Sequence, residues 1–221
     1  MQRRKTHATI IATSIRKKRS RKTNILKNNQ KLFILTTVLI CGVLLGIIFV
    51  KYTDAATFAA LQNLLATHFK KCETQSLLLN VLSAFGTDCL YLCVAVLLGM
   101  CIAGEPFLWI LPLIKGLGIG TVSACLYKAY TLQGLEYYAF LLLLPTVLSA
   151  AALLFGCKES ILFSRDINRC VFKRAEHTDS FQAVKLYLLR HFVLLLILLC
   201  SAICGAVLLY VFYGKVSPFS A

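Results

Sequence analysis

A chain of 221 residues that is 58% apolar and only 15% charged, yet carries a formal net charge of +15, is not composed like a soluble domain. Such domains are about half apolar and roughly a quarter charged. Eleven of the 24 Lys/Arg fall within residues 1–31, which contain no Asp or Glu, so the basic character belongs mainly to one arm. The ten cysteines exclude a secreted disulfide scaffold, because most lie in apolar runs where a free thiol behaves as a small hydrophobe.

The arm, residues 1–31, contains the run RKKRSRK at 16–22. Its charge alone would suit nucleic acid, but residues 1–31 lack any aromatic on which a base could stack. Placed directly before an apolar run, the cluster sets topology and holds anionic headgroups, at about 1 kcal/mol per basic residue. No nucleic-acid partner is expected. Residues 32–50 (LFILTTVLICGVLLGIIFV) form the first span. At 19 residues the run exceeds a signal-peptide core, and no convincing cleavage site follows it, so it is expected to stay as a signal anchor.

Residues 51–83 form a loop with helical periodicity of its own. Phe58, Leu61, Leu65 and Phe69 share one face of it, opposite Gln62, Thr67 and Lys70. Such a helix rests on a membrane surface or presents an apolar face for partner docking. The next apolar stretch is too long for one span and divides at Gly104-Glu105-Pro106, because proline suits the first turn of a helix. With about 20 residues needed per crossing, the expected spans are 32–50, 84–104, 106–127, 137–157 and 192–213, the middle three making up a Gly-rich core over 84–157. The basic loop 158–191 carries Arg165, Arg169 and Lys173 at intervals of four, opposite Phe163 and Ile167. This pattern predicts an interfacial helix offering cations to lipid headgroups. Asp179 with Gln182 then resembles a capping box before the last span, and residues 214–221 form the tail.

Counting Lys/Arg in the loops fixes the expected orientation. With the N-terminus cytoplasmic, the arm and the 158–191 loop place eighteen cations inside, against five outside. The expected fold class is therefore all-α, a polytopic bundle of about five transmembrane helices in the cell membrane, with the C-terminal tail outside.

Catalytic patterns are missing. There is no Gly-rich phosphate loop, His-Glu-x-x-His or Gly-x-Ser-x-Gly. The four histidines are scattered, and the nine acids avoid the expected span centres, with Asp88 placed near the outer end of the second span. No catalytic residue, cofactor or metal site is expected. Small residues do recur at four-residue spacing in every span, including Gly42/Gly46, Gly99, Gly116/Gly120 and Gly205. These faces let helix backbones approach in lipid, where no hydrophobic force gathers helices. They leave self-association into a homo-oligomer open.

One charge falls at depth. Lys115 stands in LPLIKGLGIG (111–120), about 13 Å along a helix begun at Pro106. Three readings are open. A break at Pro112 can make 106–114 re-entrant, Lys115 can be paired inside the bundle, for instance with Asp88, or it can line a polar path.

The stretch from Thr87 to Pro145 resembles the stage II sporulation protein M family. The resemblance rests on an apolar span ending in G-x-x-x-x-G (Gly99 to Gly104), a following Pro, Lys115-Gly116 with further glycines, Gly134-Leu135, and Leu143-Leu144-Pro145. The layout of basic arm, anchor, amphipathic loop and five spans is similar too. The resemblance implies a non-enzymatic membrane scaffold acting in forespore engulfment. It would anchor an amidase/endopeptidase and a lytic transglycosylase that remodel peptidoglycan. The alternative from the residues is a small transporter or permease-like subunit built on Lys115 and a broken third span.

Overall fold

The computed structural model describes residues 30–137, 143–173 and 180–216. The arm before Gln30, Asp179 of the expected capping box and the last five residues lie outside that set. The helices in chain order are α1 (Gln30–Tyr52), α2 (Ala55–Thr74), α3 (Leu77–Met100), a single turn α4 (Glu105–Leu108), α5 (Ile110–Tyr137), α6 (Leu143–Lys173) and α7 (Ser180–Val216). No strand occurs among the described residues. Five helical stretches are long and apolar enough to cross a membrane, namely 30–52, 77–100, 105–129, 143–168 and 182–211.

Two bounds differ from the expected ones in ways that matter. α3 begins at Leu77 rather than at 84, because Leu77–Asn80–Phe85 continues the helix without a breaker. Asp88 therefore lies eleven residues past Leu77 and twelve before Met100. At about 1.5 Å per residue that is close to the centre of a hydrocarbon layer about 30 Å thick. The helix break before Lys115 falls at Trp109, not at Pro112. Pro112 cannot donate to the Leu108 carbonyl four residues back, and its ring crowds that carbonyl, so the chain divides there. Lys115 itself sits inside continuous α5.

The expected interfacial helix at 158–173 is instead the uninterrupted continuation of α6, 31 residues long, and α7 runs for 37. At about 46 and 55 Å both outrun the hydrocarbon layer.

The bundle has two packed groups. In the first, α3, α6 and α7 pack extensively on one another. Leu92, Ala152, Leu194 and Leu198 fill one cluster between them, and Ala95, Leu153, Cys157 and Ile161 belong to a second that includes Leu35 and Leu108. In the second group α1 lies along α5. A Cβ built on Gly42 would fall 3.1 Å from the Leu117 nitrogen, and one on Gly46 only 2.8 Å from the Thr121 nitrogen. From Gly116 and Gly120 the same test meets the backbones of Leu39, Gly42 and Val43. The contacts advance in step along both helices, so α1 and α5 run parallel, backbone against backbone. That approach is open only to glycine.

The bundle has a Lys128 end and a Glu105 end. The Lys128 end holds the close of α1 and the start of α3, with Lys128 donating to the Val50 carbonyl at 3.4 Å. The Glu105 end holds α4 and the extensions of α6 and α7.

Candidate functional site

The polar residues of this oily chain gather at two depths. Nearest the Glu105 end, three helices meet in a hydrogen-bonded knot. The Tyr187 hydroxyl lies 2.9 Å from Ser160 Oγ and donates to the Val96 carbonyl at 3.1 Å, and Ser160 Oγ lies 3.2 Å from His191 Nε2. His191 Nδ1 is 3.0 Å from the Tyr187 carbonyl, which can only accept, so Nδ1 carries the proton and Nε2 accepts from Ser160. Phe163 stacks on the Tyr187 ring at 4.2 Å. α3 reaches the knot only because Gly99 has no side chain: a Cβ there would sit 2.8 Å from Ser160 Cβ.

A serine donating to an imidazole is the contact a nucleophile requires. Here, however, Ser160 is 0% exposed, His191 is 4% exposed and the hydroxyl is enclosed by Tyr187, so no substrate surface reaches it. The knot ties α3, α6 and α7 and closes the bundle on that side. Around it, Ser164 donates to the Cys101 carbonyl at 2.8 Å, Arg165 Nε bonds Glu105 Oε1 at 2.7 Å, and Arg190 pairs with Glu159. The Arg165 guanidinium, expected at lipid headgroups, therefore faces a carboxylate of this chain. Arg169 and Lys173 continue along α6.

The second gathering lies at mid-depth and opens toward the Lys128 end. Lys115 of α5 pairs with Asp88 of α3, and the Lys115 ammonium lies 5.4 Å from the Tyr91 ring centroid. Both side chains keep some access, 15% and 14%. That access is a cavity of about 300 Å³ between α3, α6 and α7. Asn80, Ser83, Thr87 and Asp88 line it from α3 as a helical stripe, Lys115 forms part of its wall, and Thr146 and Ser149 face it from α6. Ser201 of α7, also on the wall, donates to the Pro145 carbonyl at 2.8 Å, and Gly205 packs on the Pro145 ring. His68 of α2 completes the lining.

Of the three readings of Lys115, the structure has the pair with Asp88, on a helix that is broken six residues earlier. The acids do not all avoid the span centres, because Asp88 lies at one. The signal was present in the sequence as the stripe Asn80, Ser83, Thr87, Asp88 within an otherwise apolar 24 residues. The Ser160–Tyr187–His191 knot had a fainter signal, Tyr187 and His191 at i,i+4 near the start of a span.

α2 lies across the Lys128 end. Phe58 sits under the Lys128 ammonium, 4.4 Å from ring centroid to nitrogen, and His68, nearly three turns on, reaches the cavity. Of the residues expected to dock a partner, Phe58, Leu61 and Leu65 are half-buried, so that part of the face is turned partly to the bundle; the side chain of the fourth, Phe69, lies outside the described set. Leu64, at the flank of that face and one turn before His68, is 70% exposed. The eight cysteines whose side chains are described are free thiols, and no group of three His, Cys, Asp or Glu among the described residues could hold a metal ion.

Neither a curated protein nor a solved structure matches the chain. The family model of Stage II sporulation protein M matches residues 33–208, from the first span into the last. The chain belongs to the Stage II sporulation protein M family and is a sporulation-related, multi-pass membrane protein.

Proposed function

We propose that the protein is a non-enzymatic scaffold that anchors cell-wall hydrolases, an amidase/endopeptidase and a lytic transglycosylase, during forespore engulfment. The N-terminus is cytoplasmic, and α2 with the C-terminal tail lies outside, where wall enzymes are. The observation that carries the reading is α2: a 20-residue helix between two spans, seated on the bundle by Lys128 on Phe58 and presenting Leu64 outward. A fixed helix with an exposed leucine is a docking element whose geometry does not have to be ordered at binding. The sealed Ser160–His191 contact supports a role without chemistry.

The test is recovery of both enzymes with the tagged protein from sporulating cells. Leu64→Glu and deletion of 52–72 are expected to lose both enzymes while membrane insertion persists. Undiminished recovery from both variants would overturn the docking role of α2.

The cavity at Lys115 favours a second reading, a transporter or permease-like subunit. In that case Lys115→Met abolishes solute movement, whereas a scaffold carrying the same change still recovers its partners.

A further inference from the structure

We infer that the mid-depth cavity under α2 is a binding site for a small zwitterion of the amino-acid or short-peptide class, its carboxylate meeting Lys115 and its ammonium meeting Asp88. This goes beyond the scaffold role and does not rest on it.

The first ground is charge. The cavity wall carries one cation and one anion, already paired with each other. A lone anion drawn to Lys115 would strip Asp88 of its partner at mid-depth, and a lone cation would do the same to Lys115. Either exchange strands a charge away from water, which is strongly unfavourable. A zwitterion replaces each partner by another of the same sign, so no charge is stranded.

The second ground is the neutral lining. Asn80, Ser83, Thr87 and Thr146 line the cavity with polar atoms. The Thr87 and Thr146 hydroxyls donate to the Ser83 and Leu143 carbonyls, so what they offer a ligand is acceptor lone pairs, which suit an ammonium or a peptide N–H. Ser149 goes further: it is 4% exposed, and its Oγ has no hydrogen-bond partner in the protein. A buried hydroxyl is normally satisfied. This one, on a residue of the cavity wall but itself out of reach of a water molecule, gains a partner when an occupant draws the side chain round toward it.

The third ground is shape. About 300 Å³ is at the small end of ligand pockets, enough for an amino acid or a dipeptide. From Asn80 to Asp88 the cavity extends along eight residues of α3, about 12 Å, and then stops. Below it Gly99, Ser160 and Tyr187 are close-packed. The cavity therefore does not continue along α3 toward the Glu105 end.

The experiment measures thermal unfolding of the full chain in lipid nanodiscs against alanyl-alanine, acetate and methylammonium, each up to tens of millimolar. A saturable rise in unfolding temperature is expected with alanyl-alanine only. Ser149→Val, which removes a hydroxyl without a protein partner, is expected to weaken the apparent affinity about five-fold. The double variant Lys115→Met/Asp88→Leu exchanges the pair for apolar side chains and is expected to fold and lose the response. An equal rise with acetate would make the site an anion site and overturn the inference. So would a flat response to alanyl-alanine, or a response unchanged in the double variant or in Ser149→Val. Should the double variant fail to accumulate, Ser149→Val still decides.

Discussion

The Lys115–Asp88 pair lends itself to a double-mutant cycle whose outcome is set by depth. Both side chains are about 85% buried, near the centre of spans of 24 and 25 residues. Removing one partner leaves the other charged in a region that water reaches only through a narrow cavity. For buried pairs this costs about 3–5 kcal/mol, while replacing both by apolar groups of similar volume is often neutral or stabilising. The residual access argues for the lower half of that range, because a wetted charge is partly compensated. Lys115→Met and Asp88→Leu are therefore each expected to cost about 3 kcal/mol, and the double variant less than 1 kcal/mol. The coupling between the sites is then several kcal/mol, well above the few tenths found for independent positions.

The assay is reversible unfolding in mixed micelles, with insertion checked separately so that a failure of biogenesis is not read as instability. If each single change cost under 1 kcal/mol, the pair would be behaving like an exposed salt bridge. That result would refute the placement of Asp88 at mid-depth and with it the start of α3 at Leu77.

Gly46→Val is expected to part α1 from α5, because the Cβ would meet the Thr121 amide at 2.8 Å and backbone cannot yield as a side chain can; a loss of about 1–3 kcal/mol or more is expected in the same unfolding assay. Gly118→Val is the control, since nothing lies within 4 Å of that position, and stability should change by less than about 1 kcal/mol. Tyr187→Phe removes a hydroxyl shared between Ser160 and the Val96 carbonyl and leaves the carbonyl without that donor, so a loss of about 1–3 kcal/mol is expected in the same unfolding assay. Arg165→Ala breaks a pair with Glu105 in which the arginine is 44% exposed. A cost below 1 kcal/mol that shrinks with added salt is expected.

The five spans were legible because length and hydropathy alone identify them, and lipid leaves the backbone little choice but helix. What was not legible was where helices continue beyond the apolar run. Leu77 to Ser83 contains Asn80 and Ser83, and polarity there hid the first two turns of α3. Arg165, Asp166 and Arg169 likewise resembled a surface helix when they are the last turns of α6. Periodicity sees which residues share a face but not what that face meets, and so Phe58, Leu61 and Leu65 looked free when they are half-covered. The small-residue pairs were equally visible in all spans yet are unequal in space. Gly42, Gly46, Gly116 and Gly120 are pressed against backbone, whereas a Cβ on Gly205 would reach only the Pro145 ring, at 3.2 Å. Spacing cannot tell a helix contact from a lipid-facing position, because both tolerate small residues.

The bundle is built unevenly along its axis, and the unevenness has a direction. On the side of the Glu105 end, α3, α6 and α7 are tied by Tyr187, Ser160 and His191, and the helix extensions carry the Glu105–Arg165 and Glu159–Arg190 pairs. On the other side the same three helices spread around a cavity that holds a buried hydroxyl with no protein partner. A bundle fixed at one end and open at the other concentrates its compliance at the open end. α2 sits there, touching α5 through Phe58 and the cavity through His68. A ligand that draws the cavity walls together would move the footing of α2, and a partner that clamps α2 would in turn change the cavity's affinity by the same factor.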